Sequence, residues 1–208
     1  VATVSRYLNS SGPVSDQVAE KLDQVMADLK YVPQAAARQL ATRRTRLIGV
    51  LLTNLDNDFF SPLLRGIEEG VRSGGYNLLV ATYHAASREQ APPPIGPHNI
   101  DGLLVFADSL DDKSLAALHH RGFPLVLIHR TPPEGLPIPC VTVENKAATR
   151  RLIEHLIEVH GKRRILLMRG ESNQEDAYWR EIGFRDALSA HGLEFDPQLV
   201  LRGEFDRD

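Results

Sequence analysis

The chain has a single cysteine, Cys140, so no internal disulfide can form and the sequence suits a reducing compartment. No apolar run approaches the roughly 20 residues needed to cross a bilayer, so no membrane partner is expected. No secretory signal is recognised ahead of the first motif, which points to the cytoplasm. Neither G-x-x-x-x-G-K-S/T nor G-x-G-x-x-G occurs, which argues against a nucleotide-dependent enzyme. His119 and His120 are adjacent and point apart on a helix, and His155 and His160 are five positions apart and off one face. Neither arrangement suits a metal, and no paired acid/base or nucleophile motif stands out, so the sequence predicts no metal, no cofactor and no catalysis.

What is present is ordinary for a folded, water-soluble protein: 208 residues, 42% hydrophobic and 25% charged. The formal net charge of −3 conceals an asymmetry. Residues 1–46 carry seven Lys/Arg against four Asp/Glu, whereas the remainder carries 17 against 23, so a basic head of about +3 precedes an acidic body of about −6.

The head reads as helices. Val1, Val4, Tyr7 and Leu8 have helical spacing, and Asn9-Ser10-Ser11-Gly12-Pro13 is a run of turn formers. Ser15 is placed to cap a second helix, in which Val18, Leu22, Val25, Met26 and Leu29 form one apolar stripe. Tyr31-Val32-Pro33 should end it, because a residue before proline avoids the helical region. An alanine-rich piece from Gln34 to Ala41 has little apolar mass and should be a marginal helix that needs a partner.

From Leu47 the pattern becomes strand, helix, strand. Leu47–Leu52 is a continuous apolar run suited to a strand buried on both faces of a parallel sheet. Further strands are predicted at Tyr76–Ala81, Gly102–Phe106, Leu125–Ile128 and Ile165–Met168. Helices are predicted at Pro62–Ser73, Asp112–Arg121, Ala147–Val159 and Asp176–His191. This alternation implies βαβ units around a mostly parallel sheet, with ligands bound at the carboxyl ends of the strands. Between the second and third strands, however, the four prolines of Arg88–Pro97 exclude a regular helix, so the sheet should lose one covering helix there.

Several segments in order, TVSRYLN, YVPQAAARQLATRRTRLIGVLL, NDFF, DGLLVF, VTVEN, EHLIEVHGKRRILLM and WREIGFRDAL, resemble the lactose-repressor (LacI/GalR) family of bacterial transcription factors over essentially the whole chain. The resemblance implies an α helix-turn-helix head plus an α/β periplasmic-binding-protein-like core with parallel sheets and helices on both faces. It apportions residues 1–33 to a partial helix-turn-helix domain, 34–45 to the hinge helix and linker, 46–143 to the first effector-binding subdomain and 144–208 to the start of the second. Family members begin with a helix that packs under the recognition helix and continue for roughly another hundred residues, so this chain is expected to be a truncated piece.

The implied function is a sequence-specific transcription regulator, a repressor in preference to an activator, controlled by a small-molecule effector. Its implied partners are a pseudopalindromic double-stranded DNA operator, a carbohydrate effector and a second copy of itself in a homodimer, in the bacterial cytoplasm at the nucleoid. By the resemblance Val1, Ala2 and Arg6 occupy base-reading positions, with Arg6 able to contact guanine in the major groove and Val1 and Ala2 able to touch thymine methyls. Thr3, Ser5 and Asn9 suit phosphates, which position without reading sequence. Tyr31 and Gln34 complete the implied DNA contacts of the head. In the hinge, Leu40 matches a side chain wedged into the minor groove, with Ala37 and Ala41 small enough for close approach. Leu40 could instead pack on the body, but Arg43-Arg44-Thr45-Arg46 beside it favours a groove.

For the effector pocket the resemblance points to Asn57, Phe59 and Phe60 after the first strand, to Arg130 after a later strand, and to Arg180 in WREIG. Two rival readings remain: a solute-binding protein without specific DNA binding, which the basic head and hinge count against, and an enzyme on a doubly wound sheet, which lacks a catalytic motif here.

Overall fold

The computed structural model describes residues 2–9, 12–31, 44–55, 58–83, 92–170 and 174–203, in two compact units, Val1–Thr45 and Arg46–Asp208.

In the first unit, α1 (Ala2–Asn9) and α2 (Asp16–Asp28) are joined across the turn by the Tyr7 hydroxyl, which donates to Asp23 Oδ1 at 2.6 Å. That bond to a carboxylate holds the Tyr7 pKa above its usual value. Ser15 precedes α2 as expected, but its side chain makes no capping bond. The helix stops earlier than Tyr31-Val32-Pro33 suggested. Lys30 takes a left-handed φ of 49°, and the Tyr31 amide reaches back to the Met26 carbonyl at 2.9 Å, which closes the helix before the proline can act. The apolar stripe is there, yet Val18, Val25 and Leu29 all stay exposed, since two short helices offer too little surface to bury it. The expected piece Gln34–Ala41 lies outside the described residues.

The second unit is built on a five-stranded, all-parallel sheet, β1 (Leu47–Leu52), β2 (Asn77–Thr82), β3 (Gly102–Phe106), β4 (Leu125–Ile128) and β5 (Cys140–Val141), in the order β2-β1-β3-β4-β5. As its continuous apolar run implied, β1 is buried on both faces. Val50 and Leu52 pack with Phe60 under α3 (Phe60–Ser73), while Leu51 points the other way into the core formed by Val105, Leu110, Leu115 and Leu127. Leu115 comes from α4 (Asp112–His120), whose first turn is capped by Asp111 accepting from the Ser114 amide at 2.7 Å.

No helix occurs over residues 92–100, and the structure shows what replaces it. Ile95 and Ile100 plug the face of the sheet that a crossover helix would cover, both almost fully buried. Asn99 holds the turn between them, accepting from the Gly96 amide at 2.9 Å and donating to the Pro94 carbonyl at 3.1 Å. The two isoleucines come so close to β1 that a Cβ on Gly49 would sit 2.6 Å from Ile100 Cδ1 and 2.9 Å from Ile95 Cδ1.

Beyond β5 the chain enters α5 (Asn145–Glu158), β6 (Leu167–Arg169), α6 (Glu175–Ala190) and β7 (Val200–Arg202), with β6 and β7 paired in parallel. Strand β6 begins later than Ile165, and β5 and β7 are two- and three-residue strands that periodicity cannot resolve. A second core of Ile153, Ile157, Phe184, Ala187 and Leu188 fills the contact between α5 and α6. None of the helices among the described residues is long and apolar enough to cross a membrane.

Candidate functional site

In the order β2-β1-β3-β4-β5 the chain leaves β1 in one direction and β3 in the other, and sheets of this kind bind ligands at the carboxyl ends of the strands beside such a reversal. Two non-glycine residues sit there in left-handed conformations, Ala107 (φ 42°) directly after β3 and His129 (φ 56°) directly after β4. Such strain concentrates where a side chain must be aimed at a ligand.

His129 is the centre of this edge. Its ring lies 5.3 Å from both Phe59 and Phe106, and Phe60 meets Phe106 edge-on at 5.1 Å. On its other side, Nδ1 lies 2.6 Å from Asp176 Oδ2, in the first turn of α6. The second Asp176 oxygen accepts from Asn145 Nδ2 at 2.8 Å, and Asn145 Oδ1 accepts from Arg180 Nε at 2.8 Å. One chain of hydrogen bonds therefore runs from the end of β4 through α6 to the start of α5.

A second clasp runs beside it. The Thr131 amide donates to Glu175 Oε2 at 2.8 Å, its hydroxyl donates to Oε1, and the Trp179 indole N–H donates to the same Oε1 at 3.1 Å. Burial works against the Glu175 charge, but the two bonds from Thr131 and the one from Trp179 outweigh it and hold the carboxyl below its usual range. Because the folded value is the lower one, this clasp stabilises the fold above the ordinary glutamate range and is lost as pH falls through the folded value.

The residues singled out from sequence are spread over this architecture unevenly. Phe59, 44% exposed, faces the edge beside His129, whereas Phe60 is buried and belongs to the core under α3. Arg180 joins the network through Asn145. Arg130 turns away from it: its guanidinium donates to the Ala107 and Leu110 carbonyls and to the Asp112 carboxylate, and so fastens the loop that follows β3. Asn57 lies outside the described residues.

In the head, Ala2, Thr3, Ser5, Arg6 and Asn9 are all on α1, with Thr3 and Arg6 exposed, and Tyr31 is exposed after α2. Val1, Gln34, Ala37, Leu40 and Ala41 lie outside the described residues. Sequence reasoning missed His129, Asn145 and Asp176. The signal for His129 was its place immediately after a buried strand, and for Asp176 its place four residues before Arg180 on one helix.

The histidine pairs differ from the sequence expectation in one respect. His155 and His160 meet with ring centroids 4.9 Å apart, because His160 follows the end of α5 and is free of the helical period. Among the described residues no group of three or more His, Cys, Asp or Glu side chains could hold a metal ion. An apolar groove of about 500 Å³ lined by Ile48, Phe123, Pro124, Pro137 and Pro139 lies at the amino ends of the strands, the end opposite to His129.

Comparison with known proteins bears on both units. Residues 45–208 match the model for periplasmic binding proteins and the sugar-binding domain of the LacI family, and residues 1–34 match that for bacterial regulatory proteins of the lacI family. Among relatives, the HTH-type transcriptional regulator CelR of Thermobifida fusca is 32% identical over 99% of this chain and 62% of its own length. The transcriptional regulator GalR of Escherichia coli is 31% identical over 99% of this chain and 60% of its own. The chain thus spans about 60% of the length of the curated relatives it matches. These relatives are transcription regulators and not enzymes. Among solved structures, the lac repressor dimer bound to operator and an anti-inducer superposes with a TM-score of 0.74 at 25% identity, over 99% of this chain and 62% of that one. A CelR–cellobiose complex superposes with a TM-score of 0.61 at 28% identity, over 98% and 62% of the two chains.

Proposed function

The chain belongs to the LacI family of bacterial regulatory proteins, and from that membership we propose that the protein carrying it is a DNA-binding transcription repressor controlled by a carbohydrate effector. The observation that carries the effector half is the bridge from His129 at the end of β4 to Asp176 on α6, with Asn145 and Arg180 behind it and Phe59 and Phe106 beside it. Aromatic edges next to a carboxylate, an amide and a guanidinium are the groups that a polyhydroxylated ring needs: apolar contact for its C–H face, and donors and acceptors for its hydroxyls. Relatives named for cellobiose binding and for a ribose operon support that ligand class. Asp176→Ala removes the acceptor shared by His129 and Asn145. It should weaken effector binding on the order of tenfold to a hundredfold, the cost of leaving buried donors unpaired, read by calorimetry.

The DNA half rests on the basic head and on the hinge resemblance. A homodimer presents two heads to a pseudopalindromic operator in the cytoplasm, Arg6 reads a base, and paired Leu40 side chains open a central step of the minor groove. Because an alanine-rich hinge is marginal alone, the effector needs only a modest difference in affinity between two arrangements of the body to decide whether the hinge stays folded on DNA.

Fluorescence anisotropy tests this on a pseudopalindromic duplex with a central CG step against a scrambled duplex, at about 150 mM salt, where nonspecific charge attraction is suppressed. The palindrome should bind tighter by at least about a thousandfold, and Leu40→Ala should remove most of that margin. Equal, weak binding to both duplexes would instead make the protein a solute binder without a specific operator.

A further inference from the structure

We propose that Trp179 and Tyr178 form a second carbohydrate subsite at the rim of the cleft, which takes the next ring of a di- or oligosaccharide; this rests on the carbohydrate-effector reading above. On α6, residues four apart lie above one another, so Asp176 and Arg180 form one row and Glu175 and Trp179 the row beside it. The first row carries the hydrogen-bond network to His129 and Asn145. The second row is where Thr131, two residues beyond His129, comes down onto Glu175 as the loop leaves the strand end. The Glu175 carboxylate also accepts from the Trp179 indole, so one group fixes both the loop that carries His129 and the orientation of the indole. The indole is thus tied through Glu175 to the loop that carries His129.

Among the described residues, core packing does not account for these rings. Trp179 is 39% exposed and Tyr178 49% exposed, on a helix whose other aromatic, Phe184, is 1% exposed in the α5–α6 core. They meet edge to face, with centroids 5.1 Å apart and planes at 70°, which makes an L-shaped corner. The indole N–H is already satisfied by Glu175, so the side chain offers a ligand its π face rather than a donor. A pyranose presents an apolar C–H face to such a surface and its hydroxyls to the neighbouring carboxylate.

Calorimetry with glucose, cellobiose and cellotriose, and with glucose, maltose and maltotriose, tests this on the protein that carries the chain. In one series the disaccharide should bind about tenfold tighter than glucose, the gain expected from covering one aromatic face. Trp179→Ala should bring the disaccharide-to-glucose affinity ratio down to about one, whatever loss of its bond to Glu175 does to glucose binding itself; Tyr178→Ala should reduce the ratio, and Trp179→Phe should keep part of it. Trp179 is the only tryptophan of the chain, and its emission should shift with the disaccharide but not with glucose. Glucose binding without a disaccharide preference, or a preference that survives Trp179→Ala, overturns the subsite and leaves the effector reading standing. Binding of none of these sugars overturns both.

Discussion

Gly183→Ala should be severely damaging, with the closest approach to backbone of the glycines whose surroundings are described. A Cβ at Gly183 would lie 2.2 Å from the Lys146 carbonyl oxygen and 3.1 Å from the Arg150 amide nitrogen. Both are backbone atoms of α5, so no rotamer change relieves the contact and the two helices must separate. Separation opens the core of Ile153, Ile157, Phe184, Ala187 and Leu188 and moves the Asn145 side chain away from Asp176 and Arg180. We expect a loss of about 3 kcal/mol or more in urea unfolding followed by Trp179 fluorescence, at or beyond the upper end of ordinary overpacking. Gly66→Ala is the control. Gly66 lies inside α3 with nothing within 4 Å of its added Cβ, and the substitution should stabilise by about 0.4–1 kcal/mol. Equal midpoints for the two variants would mean that α5 and α6 do not depend on this close approach.

How much of this could be read from residues alone follows from which forces act locally. Leu47–Leu52 announces a doubly buried strand because every side chain along it is apolar, and both faces are indeed covered. The prolines after Gln90 exclude a helix on steric grounds, and the described part of that segment has none. What replaces the helix was not legible: that Ile95 and Ile100 reach back over Gly49 is a tertiary contact across about half the sheet sequence. The same limit applies to the site. Phe59 was visible as an aromatic after a strand, but His129 acquires its importance from a left-handed backbone and from Asp176, 47 residues away. Arg130 shows the same limit: next to a strand end it looks like a pocket cation, and its bonds to the carbonyls of Ala107 and Leu110 and to the carboxylate of Asp112 could not be read from its position in the sequence. Charged residues near a cleft sort into ligand contacts and loop fasteners only when their partners are known.

Glu181→Gln should be the second severe change, because this carboxylate holds two arginines at once. Its side chain is 10% exposed, with Oε2 2.7 Å from Arg169 Nη1 and Oε1 accepting from Arg185 Nε at 2.9 Å and from Arg185 Nη2. Arg185 has a second anchor, its guanidinium lying 3.8 Å over the Phe195 ring, and it is half exposed, so water can take over. Among the described residues Arg169 has no such reserve. It is 22% exposed, and its Nε is buried without a hydrogen-bond partner among them, so neutralising Glu181 leaves a largely desolvated cation uncompensated. Breaking a buried pair from one side costs about 3–5 kcal/mol, whereas replacing both partners by apolar groups of similar volume is often neutral. The double variant Arg169→Met, Glu181→Leu should therefore recover most of the stability lost by Glu181→Gln alone, and the unfolding midpoints of the single and double variants measure the difference. A Glu181→Gln midpoint within about 0.5 kcal/mol of the parent would show that the Arg169 charge is hydrated. Recovery has a further consequence for the cleft. Glu181 follows Arg180 directly on α6, and its bond to Arg169 on β6 sets the rotation of the helix that presents Asp176 and Arg180. The apolar pair restores burial but not that directional constraint, so the double variant should recover most of the parent's stability and yet bind the effector less tightly.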